Sequence, residues 1–223
     1  MIETLMTPKL DGPRVAPASG GPAKQLIVFL HGYGANGDDL IGLAREMRKA
    51  LPDAAFVSPH APEPLPGPYG GRQWFPLTLR DPSERWRGVV SARGPLDAFL
   101  DAELAARRLG DDALALVGFS QGTMVALHTG PRRPRRLGAV VGFSGLLAGP
   151  ERLAAEAVTR PPVLLVHGDR DDVIPVEALH QARAGLASAE IPVEWHVRPG
   201  LGHGIDPMGL QFAVEFLAMS LAQ

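Results

Sequence analysis

The 223-residue sequence contains no cysteine, which excludes disulfides, thiolate nucleophiles and cysteine-ligated metal sites together. It also lacks an excess of either charge: 22 Lys and Arg stand against 24 Asp and Glu, a net charge of −2, so there is no field to attract nucleic acid or an anionic membrane. No apolar run approaches the ~18 residues of a membrane span. Residues 1–24 show no basic start leading into an apolar core, so they read as a variable N-terminal segment and not as a signal peptide. A soluble, cytoplasmic protein without stable membrane insertion is expected. What is present, 45% hydrophobic and 21% charged residues, suits one sizeable core and a single domain spanning 1–223.

Apolar β-type runs alternate with segments of helical period, the pattern of a mostly parallel sheet with helices on both faces. Residues 25–30 form the first clear strand. Asn36, Gly37 and Asp38 then cap a helix running to Leu51, with Leu40, Leu43, Ala44 and Met47 as its apolar stripe. Further strands are expected over 54–57, 114–119, 137–143, 163–166 and 193–197. Helices are expected over 91–109, 121–129, 151–158, 176–189 and 207–221. Residues 58–87 break the pattern and are crowded with Pro, Gly, Tyr69, Trp74, Phe75 and Trp86, as functional loops in compact domains often are. No repeat and no second domain is visible. The run Arg132-Arg133-Pro134-Arg135-Arg136 reads as a solvated loop after a helix.

The residues richest in chemistry are Gly118-Phe119-Ser120-Gln121-Gly122, at the end of an apolar run. A serine exposed at the tip of a buried strand must turn sharply into a helix, and flanking glycines remove the Cβ atoms that would collide there. With 26 glycines and eight serines, about 0.1 chance matches are expected, so context has to decide. In a parallel sheet the loops after the strands gather on one edge, where ligands bind. Those loops are 31–39, the turn at Ser120, 167–175 and 199–207.

Each loop carries a group that acyl transfer requires. A serine hydroxyl is a weak nucleophile at neutral pH and needs a base, which in turn needs an orienting acid. His203, in Gly200-Leu201-Gly202-His203-Gly204, follows the last strand and is the base candidate. His31 and His167 each end a strand before glycine and fit loop-shaping roles. The acid should fall between serine and histidine in chain order. Asp169, Asp171 and Asp172 all lie in the right loop, and Asp206 fits a helix cap. Oxyanion donors are expected from the backbone N–H of Gln121 and from that of Tyr33 in His31-Gly32-Tyr33-Gly34. Ser144, in Gly142-Phe143-Ser144-Gly145, has no glycine at 146 and reads as a buttress of the neighbouring loops.

From about Gln25 onward the chain resembles the phospholipase/carboxylesterase family of α/β-hydrolases, which includes carboxylesterases and acyl-protein thioesterases. The resemblance rests on Phe29-Leu30-His31-Gly32-Tyr33-Gly34, Gly118-Phe119-Ser120-Gln121-Gly122, Phe143-Ser144-Gly145, His167-Gly168-Asp169-Arg170-Asp171 and Gly202-His203. It implies the α/β-hydrolase fold, Ser120 as nucleophile, His203 as base, Asp171 as orienting acid, Tyr33 and Gln121 as oxyanion donors, and no cofactor or metal. Tyr33 departs from the leucine that many relatives carry, which leaves the N–H in place and alters the pocket wall. Only about 16 residues separate Gly145 from Pro161, too few for a helical cap, so an open site for short- to medium-chain esters is expected. Trp74, Phe75 and Arg72 are the candidate substrate contacts. The substrate is then a small-molecule ester. A thioesterase or lysophospholipase with the same triad, and a noncatalytic binding module of the same fold, are the competing readings. A homodimer is compatible with the resemblance provided that an exposed apolar patch exists.

Overall fold

The computed structural model describes residues 9–66, 71–77, 81 and 83–222. Its strands are β1 (Arg14–Val15), β2 (Gln25–Leu30), β3 (Ala54–Val57), β4 (Glu63–Pro64), β5 (Arg72–Gln73), β6 (Leu114–Phe119), β7 (Ala139–Phe143), β8 (Val163–Gly168) and β9 (Val193–Arg198). The helices are α1 (Gly37–Ile41), α2 (Ala44–Ala50), α3 (Glu84–Arg107), α4 (Gln121–Thr129), α5 (Pro150–Glu156), α6 (Glu177–Ser188) and α7 (Pro207–Ser220). Seven strands form one sheet in the order β1-β3-β2-β6-β7-β8-β9, with β4 and β5 pairing separately. Every pairing in the large sheet is parallel except that of β1 with β3.

The period of two along each strand sorts the core into two layers. Leu26, Val28 and Leu30 of β2 join Leu114 and Leu116 of β6 on the side covered by α3, α4 and α6. Ile27 and Phe29 join Ala115 and Val117 on the side covered by α1, α2 and α7. Because both faces are covered, the central strands are apolar almost throughout, as in other parallel sheets. Helix α4 is buried along its whole length, which fixes the elbow at its N-terminus. No helix among the described residues is long and apolar enough to cross a membrane.

Several local expectations need correction. The expected helix over 36–51 is two helices, because at Gly42 and Leu43 the bonding tightens to i→i−3 contacts, Leu43 N–H to Leu40 O and Arg45 N–H to Gly42 O. Helix α3 starts seven residues earlier than 91, inside the supposed loop. Its first turn is anchored by Asp81, which accepts from the Ser83 N–H at 2.8 Å and pairs with Arg87 at 2.6 Å. Gly88 then lets the helix lie on Phe75, since a Cβ there would stand 2.1 Å from the ring. Strand β1, within the N-terminal segment, is only two residues long and carries no periodic signal.

The arginine run is not uniformly solvated. Arg135 and Arg136 are exposed, whereas Arg132 and Arg133 are buried. Arg132 pairs with Glu156 at 2.8 Å, and Arg133 meets Asp97, Asp101 and Asp111 at 3.1, 2.7 and 2.6 Å. These contacts tie α3 to the turn before β6 and to the end of α4. Burial alone would depress the Arg133 pKa, but its three carboxylate partners outweigh that and hold it above the ordinary arginine value.

Two buried histidines make the fold sensitive to acid. Burial pulls His31 from 6.5 down to about 4 and His128 to about 3. Both stay neutral in the folded chain while the unfolded chain takes up protons below pH 6.5, so stability is full above that value and declines as pH falls toward the folded values. At pH 5 the loss is about 2 kcal/mol for each histidine. Urea unfolding is therefore expected to give a free energy up to about 4 kcal/mol lower at pH 5 than at pH 7.5. Equal stability at the two pH values would contradict this account.

Candidate active site

The carboxyl ends of β2, β6, β8 and the segment after β9 bring the four expected loops to one edge. At the end of β6, Ser120 adopts φ 53° and ψ −115°, a conformation that L-residues rarely occupy. Two glycines make the turn sterically feasible. A Cβ on Gly122 would stand 1.8 Å from Leu30 O, and one on Gly118 would stand 2.5 Å from Thr123 N. Ser120 N–H donates to Phe143 O at 2.9 Å, which locks the elbow to β7.

His203 is positioned from the segment after β9. Its Nδ1–H donates to Asp171 Oδ2 at 2.8 Å, leaving Nε2 as the basic nitrogen. The imidazole centroid lies 5.0 Å from the ring of Phe119, the residue before Ser120, so base and elbow are neighbours. The Asp171 side chain is fully buried. Burial opposes its charge, but the N–H groups of Ile174 and Val173, at 2.8 and 3.0 Å, and His203 outweigh it and hold the carboxyl below the ordinary carboxylate value. Asp171 is thus ionised and oriented at neutral pH.

The other carboxylates serve different ends. Asp169 Oδ1 accepts from Gly200 N–H at 2.6 Å and tethers the loop that carries His203. Asp172 is exposed. Asp206 caps α7 through Gly209 N–H at 2.8 Å and pairs with Arg198 at 2.9 Å. His167, as expected of a loop-shaping residue, contacts Ile174 O at 2.7 Å and so closes the turn around Asp171. Ser144 is buried, with its hydroxyl donating to Gly204 O at 3.2 Å, so it steadies the His203 segment and presents no exposed hydroxyl.

The two positions expected to supply oxyanion donors carry unpaired backbone N–H groups. The backbone N–H groups of Tyr33 and Gln121 have no protein acceptor among the described residues. Gly32 lies close against the elbow, since a Cβ on it would be 3.3 Å from Ser120 Cβ. Gly34, at φ 80°, lets the chain turn back after Tyr33.

The three substrate contacts expected from residues 58–87 have other roles. Trp74 and Phe75 are buried, at 1% and 0% exposure, and cannot form a cleft wall. Trp74 Nε1–H donates to His31 O at 2.9 Å, and its backbone N–H donates to Gln121 Oε1 at 2.9 Å. Gln121 Nε2 donates to Phe75 O at 2.8 Å. The Arg72 guanidinium donates to Ala61 O and to Pro62 O, the latter at 2.8 Å, while Gly34 N–H donates to Arg72 O at 2.9 Å. These three residues strap the Tyr33 loop to the start of α4 and hold the Tyr33 and Gln121 N–H groups in fixed relation. The Gln121 side chain is the structural bridge that sequence reasoning missed, because its partners lie 46 and 47 residues away. Tyr69 lies outside the described residues.

The exposed apolar groups near the site come from the loops themselves. Tyr33 is 48% and Val173 63% exposed, and Leu146 is half-buried beside Gly145, whose Cβ would stand 2.9 Å from Ser120 O. Between β7 and β8 only the seven-residue α5 intervenes, so no cap domain is inserted at this connection.

Comparisons with known proteins identify the family. The model of the phospholipase/carboxylesterase family matches residues 11–221. Esterase YpfH of Escherichia coli (strain K12) is 30% identical over 209 residues, covering 90% of this chain and 84% of the relative. Acyl-protein thioesterase 1 of Saccharomyces cerevisiae is 31% identical, covering 96% and 100%. The crystal structure of esterase PE8 superposes with a TM-score of 0.91 at 46% identity, covering 96% of this chain and 100% of that one. With its ordered Ser120, Asp171 and His203 on the edge of a mostly parallel sheet, the chain belongs to the phospholipase/carboxylesterase family of serine hydrolases, with the α/β-hydrolase fold.

Proposed function

We propose that the protein hydrolyses short- to medium-chain carboxylic esters through an acyl-enzyme on Ser120. The observation that carries this reading is the 2.8 Å contact of His203 Nδ1 with the buried Asp171 carboxylate beside the strained Ser120 elbow. Ser120 Oγ attacks the ester carbonyl while His203 Nε2 takes its proton. The tetrahedral oxyanion is held by the Tyr33 and Gln121 N–H groups, each such donor being worth about 3 kcal/mol in other serine hydrolases. Collapse expels the alcohol, which His203 protonates. Water activated by His203 then releases the acid and restores Ser120. Asp171 stays ionised throughout and stabilises the imidazolium.

The open edge supports a preference for modest acyl chains, with Tyr33, Leu146 and Val173 as the apolar contacts in place of Trp74 and Phe75. A second reading, thioester or lysolipid hydrolysis with the same triad, is favoured by the relatives named acyl-protein thioesterase 1. The chemistry differs only in leaving group, and parallel kinetics on ester, thioester and lysolipid substrates of equal acyl length separates the two.

Ser120→Ala and His203→Ala should each lower turnover of a butyrate ester by at least ~10³ with an unchanged circular dichroism spectrum. Near-full activity in either variant would overturn the assignment, and a wild-type protein without turnover on any of the three substrate types would favour the noncatalytic module. Asp171→Asn should lower turnover by ~10³ or more, because the buried amide can present its NH₂ group to His203 and favour the wrong tautomer, whereas Asp169→Asn should cost less than about tenfold. A larger loss at Asp169 would move the orienting role to that residue. Across monomeric p-nitrophenyl esters, rate should peak at short or medium chains and fall toward palmitate. A steady rise from acetate to palmitate would contradict the open-cleft account.

A further inference from the structure

Phe119, the last residue of β6, has no polar group and transfers no proton, yet its ring touches both the base and the loop of Tyr33. Val117 and Phe119 lie on the same face of the strand, so the ring continues the core layer of Ile27, Phe29 and Val117 up to the sheet edge, where it is half-buried. Its backbone is in register with Phe143 of β7, and the next N–H is bound to Phe143 O at 2.9 Å, so its Cα is fixed. The ring centroid lies 5.0 Å from that of His203 with the planes at 49°, within the spacing of favourable aromatic pairs. The same ring fills the space in front of Gly32, where a Cβ would stand 3.2 Å from Phe119 Cδ1 and 3.5 Å from Cε1. The peptide that follows Gly32 carries the Tyr33 N–H.

The imidazole has need of such a contact. Among the described residues its one hydrogen bond is Nδ1 to Asp171 at 2.8 Å, about which the ring can still tilt. A glycine flanks His203 on each side, and Asp169 and Ser144 hold this segment only by its backbone, at Gly200 N–H and Gly204 O.

We propose that Phe119 is a positioning residue for ester hydrolysis. Its ring is the spacer that sets the gap between His203 Nε2 and the Gly32–Tyr33 peptide, and so the room in which Ser120 Oγ and the tetrahedral carbon are held. The spacer matters only where Ser120 forms an acyl-enzyme, so the proposal rests on that reading. Proton transfer to Nε2 and charge development at the oxyanion occur in one step around Ser120, so slack at either group lowers the rate without weakening substrate binding. A flat, stiff ring suits this task. Leucine lacks the outer ring atoms, and methionine matches the bulk with a flexible thioether that holds no fixed spacing.

Kinetics on a butyrate ester with the wild-type chain and with Phe119→Leu, Phe119→Met and Phe119→Tyr tests this, each variant being checked for unchanged circular dichroism. Phe119→Leu and Phe119→Met should lower kcat by about 10- to 100-fold and change KM by less than about threefold, as when reacting groups are misplaced by up to about an ångström. Phe119→Tyr keeps the ring and should stay within about fivefold of wild type. The second readout is a trifluoromethyl ketone with a propyl chain, whose carbonyl carbon bonds Ser120 Oγ while the serine proton passes to His203 and the carbonyl oxygen becomes the oxyanion. Its affinity should fall by the same factor as kcat/KM in the leucine and methionine variants, whereas butyramide, a planar ground-state analogue, should bind as in wild type. A ring that only fills the core would behave in the opposite way, with a lower thermal midpoint but unchanged kcat and unchanged ketone affinity, and that result would overturn the proposal. Equal losses for ketone and butyramide would overturn it too, as would a folded Phe119→Tyr as slow as Phe119→Leu. Should Phe119→Leu or Phe119→Tyr fail to fold, Phe119→Met decides alone. A wild-type chain without turnover would overturn the proposal together with the reading of Ser120. An active wild type that Ser120→Ala silences, with Phe119→Leu undiminished, would overturn the proposal alone.

Discussion

The site depends on one constraint, the close packing of α4 against the ends of β2 and β6, which forces Ser120 into a left-handed backbone conformation. No Cβ fits at Gly118 or Gly122, and the space it would take is filled by backbone atoms that cannot give way. The strain at Ser120 persists because the surrounding core over-determines it: α4 is buried on all sides and the Ser120 N–H is bound to β7. The consequence is chemical. Ser120 is held at the sheet edge, 9% exposed, and the next N–H, that of Gln121, is freed at a helix start, where it can meet a developing negative charge.

The rest of the edge is organised by polar contacts that run from one loop to another. Asp171 collects two backbone N–H groups and the His203 imidazole, while Asp169 and Ser144 hold the backbone on either side of His203. On the opposite side, the Gln121 amide, the Trp74 indole and the Arg72 backbone bind the Tyr33 loop to the elbow helix. Buried polar groups stay in place when each is satisfied, and here the satisfied networks coincide with the groups that must be preorganised.

What could be read from the sequence was whatever is encoded locally. Strand period, glycines flanking a serine, and chain order of serine, acid and histidine identified the sheet, the elbow and the four loops. The roles of Trp74 and Phe75 were not readable, because an aromatic in an aperiodic segment looks the same whether it lines a cleft or fills a core. Burial decided for the core. Arg132 and Arg133 were misread for a related reason: their carboxylate partners come from α3, α5 and the turn before β6, at separations that leave no local signal. Spacing alone left Asp169, Asp171 and Asp172 open and only the family resemblance singled out Asp171, since three carboxylates within four residues differ only in which one the turn folds inward.

The central claim is that Ser120 alone is the activated hydroxyl of this edge. Peptide mapping by mass spectrometry after reaction with a fluorophosphonate tests it most directly. The account predicts a single adduct on Ser120, formed rapidly in the wild-type chain. An adduct on Ser144, or an unmodified Ser120 in folded protein, would contradict it.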